Sequence, residues 1–339
     1  MTKEQIDRLL AKGKFMGSER RPSFIETHIS WVLLCDHFVY KIKKPLLYSF
    51  LDFSTLEKRK YYCDREIQLN KRLTENIYLD VQPVVKVPGG FSIGFEEAGE
   101  IIDYAVRMRR VDSSRQMDLL LLNNQVTHSD IKDLAKKIAT FHKKADIIYQ
   151  KDLMDIPLKF NDLENEKDFL KNLLNDHSEQ IITRAVKVST IFMQNNKILL
   201  ADRQKKGFYR DCHGDLHSRN IFLLPDPQPF DCIEFNDDYR EIDVLNEVAF
   251  LCMDLDAFNR QDLSSLFLDY YNQLFNAMNN AEDYRLFIYY KSYRANIRAK
   301  VNSLRARTAA TEADKKLCLA ETDKYLKLLD HYITMLENR

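Results

Sequence analysis

Six short apolar runs, each bounded by polar or turn residues, lie at 24–25, 29–34, 38–42, 81–87, 91–95 and 101–108. Trp31, Val39 and Tyr40 lie in these runs, and β-branched and aromatic side chains of this kind favour strands. Gly89 and Gly90 supply a turn between two of the later runs. The pattern predicts an antiparallel sheet, preceded by a short amphipathic helix within residues 1–20.

One helix is predicted inside this β-rich region. Residues 54–57 (STLE) have the capping-box pattern, in which a hydroxyl and an acid three positions later satisfy the first backbone donors of a helix. We expect this helix to run to about Leu73. Glu66 lies beside its apolar stripe, next to Cys63 and Ile67.

Beyond about residue 111 the apolar residues recur at helical spacing, as at Ile131, Leu134, Ile138 and Phe141. The strongly apolar stretch 243–255 continues this texture. The sequence therefore predicts an α+β protein with a β-rich domain at 1–110 and a mainly helical one at 111–339.

A predicted β-hairpin interrupts the helical part. Two apolar runs, 221–224 and 230–235, flank the Pro-rich segment 225–229. Counting seven residues in each direction from Pro227 places Asn220 opposite Glu234. We therefore expect an amide oxygen and a carboxylate at the open end of the hairpin, close to Asp215 on the preceding loop.

These residue types suit phosphoryl transfer, which needs an acceptor for the hydroxyl proton and oxygen ligands for a divalent ion. Asp215 is the candidate for the first role and Asn220 for the second. Asp231 and Glu234 are alternatives for the second metal ligand, because residues three apart face opposite sides of a regular strand. The hairpin count favours Glu234.

The segment HGDLHSRN at 213–220, followed by a hairpin and an acid, resembles the aminoglycoside phosphotransferase and choline kinase relatives of protein kinases. The wider pattern, CHGDLH at 212–217 with FDCIEFN at 230–236, resembles a mostly uncharacterised bacterial branch of them. The resemblance implies a bilobal fold with a small antiparallel sheet and one helix in the N-terminal lobe. It also implies a mainly helical C-terminal lobe, ATP and Mg²⁺ as cofactors, and a small-molecule substrate.

The resemblance also assigns roles to individual residues. Val39-Tyr40-Lys41 is similar to the strand whose lysine pairs with nucleotide phosphates. Lys43 lies on the same strand face, so spacing leaves both lysines open, and we favour Lys41 because 43–45 (KKP) suits a strand exit. The alternative is a solvated basic edge. The remaining roles are a lysine-holding acid at Glu66, an adenine-binding hinge at Met108 and Arg109, a brace at His213, a further catalytic residue at Arg219, and loop-supporting acids at Asp243 and Glu247.

Two departures from the pattern favour an alternative, a non-catalytic nucleotide-binding pseudokinase or scaffold. The loop at 26–28 (ETH) has no glycine where protein kinases carry G-x-G-x-x-G. Glu234 stands where the relatives usually carry aspartate.

The 339 residues carry 51 Lys+Arg and 51 Asp+Glu, and a formal charge of zero gives no reason to expect a nucleic-acid or membrane partner. No apolar run reaches the roughly 18 residues that span a bilayer. The six cysteines form no C-x-x-C pair, which with the absence of a secretory start predicts a cytoplasmic protein. The sequence does not predict an oligomeric state.

The stretch 291–307 carries six basic residues and no acid. An RNA-binding helix is one hypothesis for it, and a solvated face paired with acids elsewhere is the one we prefer. This stretch would suit an anionic substrate, whereas Asp254 and Asp256 would attract a cation. The charge of the substrate therefore stays open.

Overall fold

A computed structural model describes residues 1–95, 99–153 and 155–338. Its strands are β1 Lys14–Phe15, β2 Ser23–Glu26, β3 Ser30–Leu34, β4 Phe38–Lys43, β5 Leu47–Tyr48, β6 Leu51–Asp52, β7 Tyr78–Val87, β8 Gly90–Ile93, β9 Glu100–Arg109, β10 Tyr209–Asp211, β11 Ile221–Phe222, β12 Gln228–Pro229 and β13 Glu241–Asp243.

Its helices are α1 Lys3–Lys12, α2 Leu56–Asn70, α3 Met117–Leu122, α4 His128–Lys144, α5 Asp155–Asn161, α6 Lys167–Leu173, α7 Asp176–Asn195, α8 Lys197–Lys205, α9 Val244–Ala257, α10 Gln261–Phe275, α11 Ala281–Arg307 and α12 Glu312–Glu337. None of the helices in the described ranges combines the length and apolarity that crossing a bilayer requires.

The chain divides into two compact units. The first comprises residues 1–120 and 219–239, and the second comprises 121–218 and 240–339. The sequence placed a single boundary near residue 111. The first unit also takes in 219–239, because the hydrogen bonds of this segment include bonds to β4 and α2.

The first unit is built on a seven-stranded sheet of order β1-β8-β7-β9-β4-β3-β2. The β1–β8 pair is parallel and the other neighbours are antiparallel. The predicted α+β class is confirmed, and the predicted sheet is antiparallel at every pair except β1–β8. The three later runs do not pair in chain order, because β8 and β9 both pair with β7. The two-residue strands β1, β5 and β6 were not predicted.

Alternation along β4 directs its side chains to two different layers. Tyr40 and Ile42 are buried in the core that contains Ile6, Leu9 and Leu10 of α1. The opposite face of the sheet packs against α2, where Cys63 and Ile67 contact Val106. Lys41 and Lys43 therefore point toward α2.

The start of α2 is shifted by one residue from the prediction. Thr55 is the N-cap and accepts a hydrogen bond from the Lys58 amide at 3.3 Å. The helix ends at Asn70, three residues before the predicted Leu73.

The predicted register of the hairpin is wrong. Ile221 lies opposite Pro229 and Phe222 opposite Gln228, so Asn220 faces Phe230 rather than Glu234. The Phe230 amide donates to the Asn220 carbonyl at 2.8 Å. Asp231 then has a φ of 63°. This left-handed conformation ends the strand, so residues 230–235 do not form the predicted second strand.

The second unit is mainly helical, as predicted. The apolar helix α9 is buried from Val244 to Asp256 and packs against α10 and α11. The long helices α11 and α12 pack together, and β10 pairs with β13. The loop at 213–218 lies between β10 and α9 in the chain.

Candidate active site

In the first unit, Glu66 of α2 accepts hydrogen bonds from both lysines of β4. Its Oε1 atom lies 2.8 Å from Lys41 Nζ and its Oε2 atom 2.7 Å from Lys43 Nζ. The two lysines are two residues apart on one strand, so they reach the same carboxylate from the same face. The lysines that the sequence left as alternatives are therefore both engaged with Glu66.

Each lysine also meets a second acid from the segment after the hairpin. Lys41 Nζ donates to Asp231 Oδ1 at 2.6 Å, and Lys43 donates to Glu234. Both acids reach the lysines because the strand is broken at Asp231, so the alternation of a regular strand does not apply. The Asp231 amide donates to the Tyr78 hydroxyl at 3.1 Å, which holds the break in place.

The two lysine–acid pairs differ in their access to solvent. The side chains of Lys43 and Glu66 are fully buried and that of Glu234 is 3% exposed. By contrast, Lys41 is 12% and Asp231 45% exposed. A ligand in solvent can therefore reach the Lys41–Asp231 pair, whereas the Lys43–Glu234 pair is enclosed.

Burial and charge act in opposite directions on these groups. Burial disfavours the ammonium of Lys41, but Asp231 and Glu66 outweigh it and raise the pKa of Lys41. Burial favours protonation of Glu66, but the two lysines lower the pKa of Glu66 to about 2. For Glu234, burial prevails, Glu66 adds repulsion, and the pKa of Glu234 is raised.

These shifts predict opposite pH dependences for the two acids. Glu66 stabilises the fold above its ordinary pKa of 4.5, and this contribution is lost as the pH falls toward about 2. The contribution of Glu234 is fully present below its ordinary pKa of 4.5 and is lost as the pH rises through its raised pKa.

We therefore expect the native protein to lose stability relative to Glu234→Gln as the pH rises from below 4.5 to neutral. Urea titrations read by Trp31 fluorescence report on the first unit, because Trp31 is the single tryptophan and is buried in that core. If the free energy of unfolding of the native protein, relative to that of Glu234→Gln, stays constant or rises with pH, the assignment is contradicted.

Asn220 and Arg219 also lie in the first unit. Asn220 is buried. Its backbone carbonyl accepts a hydrogen bond from the amide of Phe230, the residue directly before Asp231. Arg219 is 45% exposed and its Nε atom lies 3.7 Å from Asp118 Oδ2. Asn220 and Asp231 therefore both lie at the end of the β11–β12 hairpin.

The residues predicted to form the adenine-binding hinge, Met108 and Arg109, form the end of strand β9. Met108 lies opposite Tyr78 on one side and Val39 on the other. The Arg109 amide donates to the Ile77 carbonyl at 2.8 Å, and the Arg110 amide donates to the His37 carbonyl at 3.0 Å. The amides of Arg109 and Arg110 are thus already used within the protein.

In the second unit, Glu247 supports the loop that carries Asp215. Its Oε1 atom accepts from the amides of His213 at 2.8 Å and Gly214 at 2.7 Å. His142 Nε2 lies 2.8 Å from the other oxygen of Glu247. The predicted role of Glu247 is confirmed, while His142 has no sequence signal that connects it to this loop.

The prediction for Asp243 is different from its observed contacts. Asp243 caps α9 by accepting from the Leu245 amide and pairs with Arg203 through both carboxylate oxygens, at 2.6 and 2.9 Å. It therefore anchors α9 to α8 rather than bonding the loop.

The Asp215 carboxylate is 38% exposed and lies 3.4 Å from His217 Nε2. The Asp215 amide donates to His213 Nδ1 at 3.2 Å. Burial favours the neutral acid, but His217, Arg298 and His213 outweigh it and lower the pKa of Asp215. Asp215 is thus a charged acceptor at neutral pH.

Four of the six basic residues at 291–307 bind polar groups elsewhere in the protein. Lys291 pairs with Asp256, and Arg294 donates to Asn246 at 2.7 Å and to the Gly214 carbonyl at 3.1 Å. Lys300 pairs with Asp162 and Arg307 with Glu166. Pairing with acids agrees with the interpretation that we preferred, but Lys291 and Arg294 are buried rather than solvated.

The chain matches no known family profile. Uncharacterised proteins of Mycobacterium bovis and Mycobacterium tuberculosis are 30% identical over 293 residues, which is 85% of this chain and 56% of theirs. The chain therefore spans about half the length of the curated relatives that it matches.

Solved structures identify the fold. A choline kinase from Cryptosporidium parvum aligns with a TM-score of 0.54 at 11% identity, covering 93% of this chain and 90% of that one. The GDP complex of an aminoglycoside 2′-phosphotransferase aligns with a TM-score of 0.51 at 14% identity, covering 93% and 92%. The predicted protein-kinase-like fold is confirmed.

Proposed function

We propose that this chain, which has the fold of choline kinases and aminoglycoside phosphotransferases, transfers the γ-phosphate of Mg²⁺-bound ATP to a hydroxyl of a small molecule. The observation that carries the proposal is the cluster of Lys41, Glu66 and Asp231. It combines a partly exposed ammonium, a buried acid that holds it, and an exposed carboxylate, as nucleotide phosphates and their metal require.

Lys41 would bind the nucleotide phosphates, since it is the lysine that solvent reaches, and Glu66 would hold it in place. Lys43, fully buried against Glu66 and Glu234, would maintain the strand and helix around that site. The proposal therefore gives the two lysines different roles.

Asp231 and Asn220 fit a Mg²⁺ ion, which prefers carboxylate and amide oxygens. When bound, Mg²⁺ would neutralise charge on the phosphates. Glu234 is the poorer ligand here, because turning it toward a metal would leave the enclosed Lys43 without one of its two acids. The sequence-based preference for Glu234 depended on the hairpin register that the structure overturns.

Asp215 would accept the hydrogen bond of the acceptor hydroxyl and orient it. With a lowered pKa, Asp215 is a weak base, which suits a reaction whose loose transition state needs little proton removal at the start. Glu247 would keep Asp215 in position through the two backbone amides that it binds.

The second candidate is a nucleotide-binding protein without transfer activity. The loop between β2 and β3 is short and closed on itself, since Thr27 Oγ1 accepts from the Ser30 amide at 2.9 Å and donates to the Ser30 carbonyl at 3.0 Å. Such a loop offers no glycine-rich cover for the phosphates.

A metabolite extract incubated with γ-labelled ATP and the native protein separates the candidates. We expect label to move to a small molecule, and to stop moving after chelation of Mg²⁺ or in Lys41→Gln. Lys60→Gln, at an exposed lysine of α2, is the matched control and should behave as the native protein. ATP binding without label transfer by the native protein would favour the second candidate.

The metal assignment makes a separate prediction. We expect Asp231→Asn to raise the Mg²⁺ concentration needed for half-maximal transfer by roughly tenfold or more, because loss of even an outer partner weakens metal sites by that factor. Glu234→Gln should leave this concentration nearly unchanged. A Mg²⁺ titration of both variants in which Glu234→Gln is the more affected would reverse the assignment.

A further inference from the structure

Arg298 of α11 lies near the Asp215 loop and carries a buried hydrogen-bond donor that its contacts leave unused. Within the described residues, its Nε atom is buried and has no hydrogen-bond partner. Its guanidinium lies over the ring of Tyr325, 5.4 Å from the centroid. Buried donors are almost always paired in proteins, so an unpaired one in this position requires an explanation.

The neighbours of Arg298 place it beside the loop. Arg294, one helical turn earlier on the same face, donates to the Gly214 carbonyl at 3.1 Å. Tyr325, under the guanidinium, donates to Asp254, and Asp254 accepts from the Ser218 amide at 2.8 Å. Arg298 thus lies between residues that contact both ends of the segment 214–218. The positive charge of Arg298 is one of the causes that lower the pKa of Asp215.

A cationic acceptor would need free acids or free aromatic faces in this region. Asp254 already accepts from Ser218 and Tyr325, and Asp256 already accepts from Tyr332 at 2.5 Å and pairs with Lys291. The acids that the sequence suggested for binding a cation are therefore engaged.

The aromatic faces are engaged in the same way. Lys291 lies over Tyr332, Arg294 over Phe250 and Arg298 over Tyr325. The face of each ring that carries one of these cations is therefore not available to an ammonium ligand.

We propose that the acceptor alcohol carries an oxyanion, either a carboxylate or a phosphate monoester, and that Arg298 binds this group beside Asp215. The proposal rests on the phosphotransferase function proposed above. A guanidinium presents paired N–H donors that match an oxyanion, and the unused Nε donor would complete such a pair. The oxyanion would also offset the positive charge that Arg298 brings to the loop.

Binding of four small alcohols to the full chain tests the proposal. Glycerol 3-phosphate and glycerate carry the two oxyanions, glycerol is the neutral match, and choline is the cationic one. By calorimetry we expect at least one of the two anionic alcohols to bind far more tightly than glycerol or choline. Arg298→Gln should weaken that binding by roughly 10- to 100-fold, as expected for loss of a charge-assisted hydrogen bond.

Two further variants keep the result interpretable. Arg298→Lys keeps the charge and should keep part of the affinity, which excludes a folding defect as the cause of the loss. Arg305→Gln, at an exposed arginine of the same helix, should bind as the native protein does. If the anionic alcohol bound to Lys41 instead, neither Arg298→Gln nor Arg298→Lys would change its affinity. Unchanged affinity in both variants would therefore overturn the proposal.

Absence of anion binding, or choline as the preferred ligand, would also overturn it. Label transfer from ATP to the same four alcohols separates this proposal from the proposed function. Arg298-dependent anion binding without transfer would contradict the phosphotransferase function and leave the oxyanion site standing. Transfer to choline or glycerol at a rate that Arg298→Gln does not change would contradict the oxyanion site and leave the phosphotransferase function standing.

Discussion

Replacing Asp215 by asparagine is expected to lower kcat for phosphate transfer by roughly 10²- to 10⁴-fold, the range for a positioned proton acceptor. Asparagine keeps the size of the side chain but removes the charge that His217, Arg298 and His213 stabilise. Rapid-quench measurement of single turnovers with labelled ATP isolates the chemical step from binding and product release.

ADP affinity should stay nearly unchanged in Asp215→Asn, because the nucleotide and metal contacts proposed above are made by Lys41, Asp231 and Asn220 and not by Asp215. Asp176→Asn, at an acid of α7 that is 82% exposed, is the matched control and should transfer at the native rate. An Asp215→Asn protein that transfers phosphate as fast as the native one would remove Asp215 from the reaction.

Replacing Glu66 by alanine is expected to destabilise the first unit by about 3–5 kcal/mol, the cost of removing one partner from a buried ion pair. Two ammonium groups lose their shared carboxylate, and one of them, Lys43, is fully buried. Urea titration followed by Trp31 fluorescence measures this loss in the unit where it arises.

Glu66→Ala should also weaken ATP binding, since Lys41 loses the acid that orients it. Asp64→Ala on the same helix is the control. Asp64 is 51% exposed, so its substitution should change the free energy of unfolding by no more than about 0.5 kcal/mol. Equal stability of Glu66→Ala and the native protein would mean that the bridge contributes nothing to the fold.

Much of the fold was predictable because its signals are local. The apolar runs of strands β2, β3 and β4, the turn at Gly89 and Gly90, the apolar periodicity of α4 and the continuous apolar stretch of α9 can all be read from short windows of sequence. The two-residue strands were not predictable, since so few residues carry no period. The order of strands in the sheet was not predictable either, because neighbours such as β4 and β9 are far apart in the sequence.

The site shows where local reasoning stops. Counting from Pro227 placed the turn two residues too late, since the observed pairs Ile221–Pro229 and Phe222–Gln228 centre on Pro225. The strand also ends early, because Asp231 adopts a left-handed conformation. That single torsion decides that Asp231 and Glu234 both meet lysines. The enclosure of Lys43 cannot be derived from spacing, because it depends on α2 packing against β4.

The basic stretch of α11 illustrates a second limit. Its composition suggested a solvated face, yet Lys291 and Arg294 are buried against Asp256 and Asn246 from another helix. Which acids neutralise a run of basic residues is set by tertiary packing, so composition alone cannot distinguish a surface from an internal network.

A crystal structure with Mg²⁺ and a non-hydrolysable ATP analogue is the most direct test of the proposed nucleotide site. The account predicts phosphate oxygens within hydrogen-bond distance of Lys41 Nζ, and Mg²⁺ about 2.1 Å from oxygens of Asp231 and Asn220. It also predicts that Lys43 keeps its contacts with Glu66 and Glu234. A nucleotide bound away from Lys41, or Mg²⁺ held by Glu234 with Lys43 displaced, would contradict it.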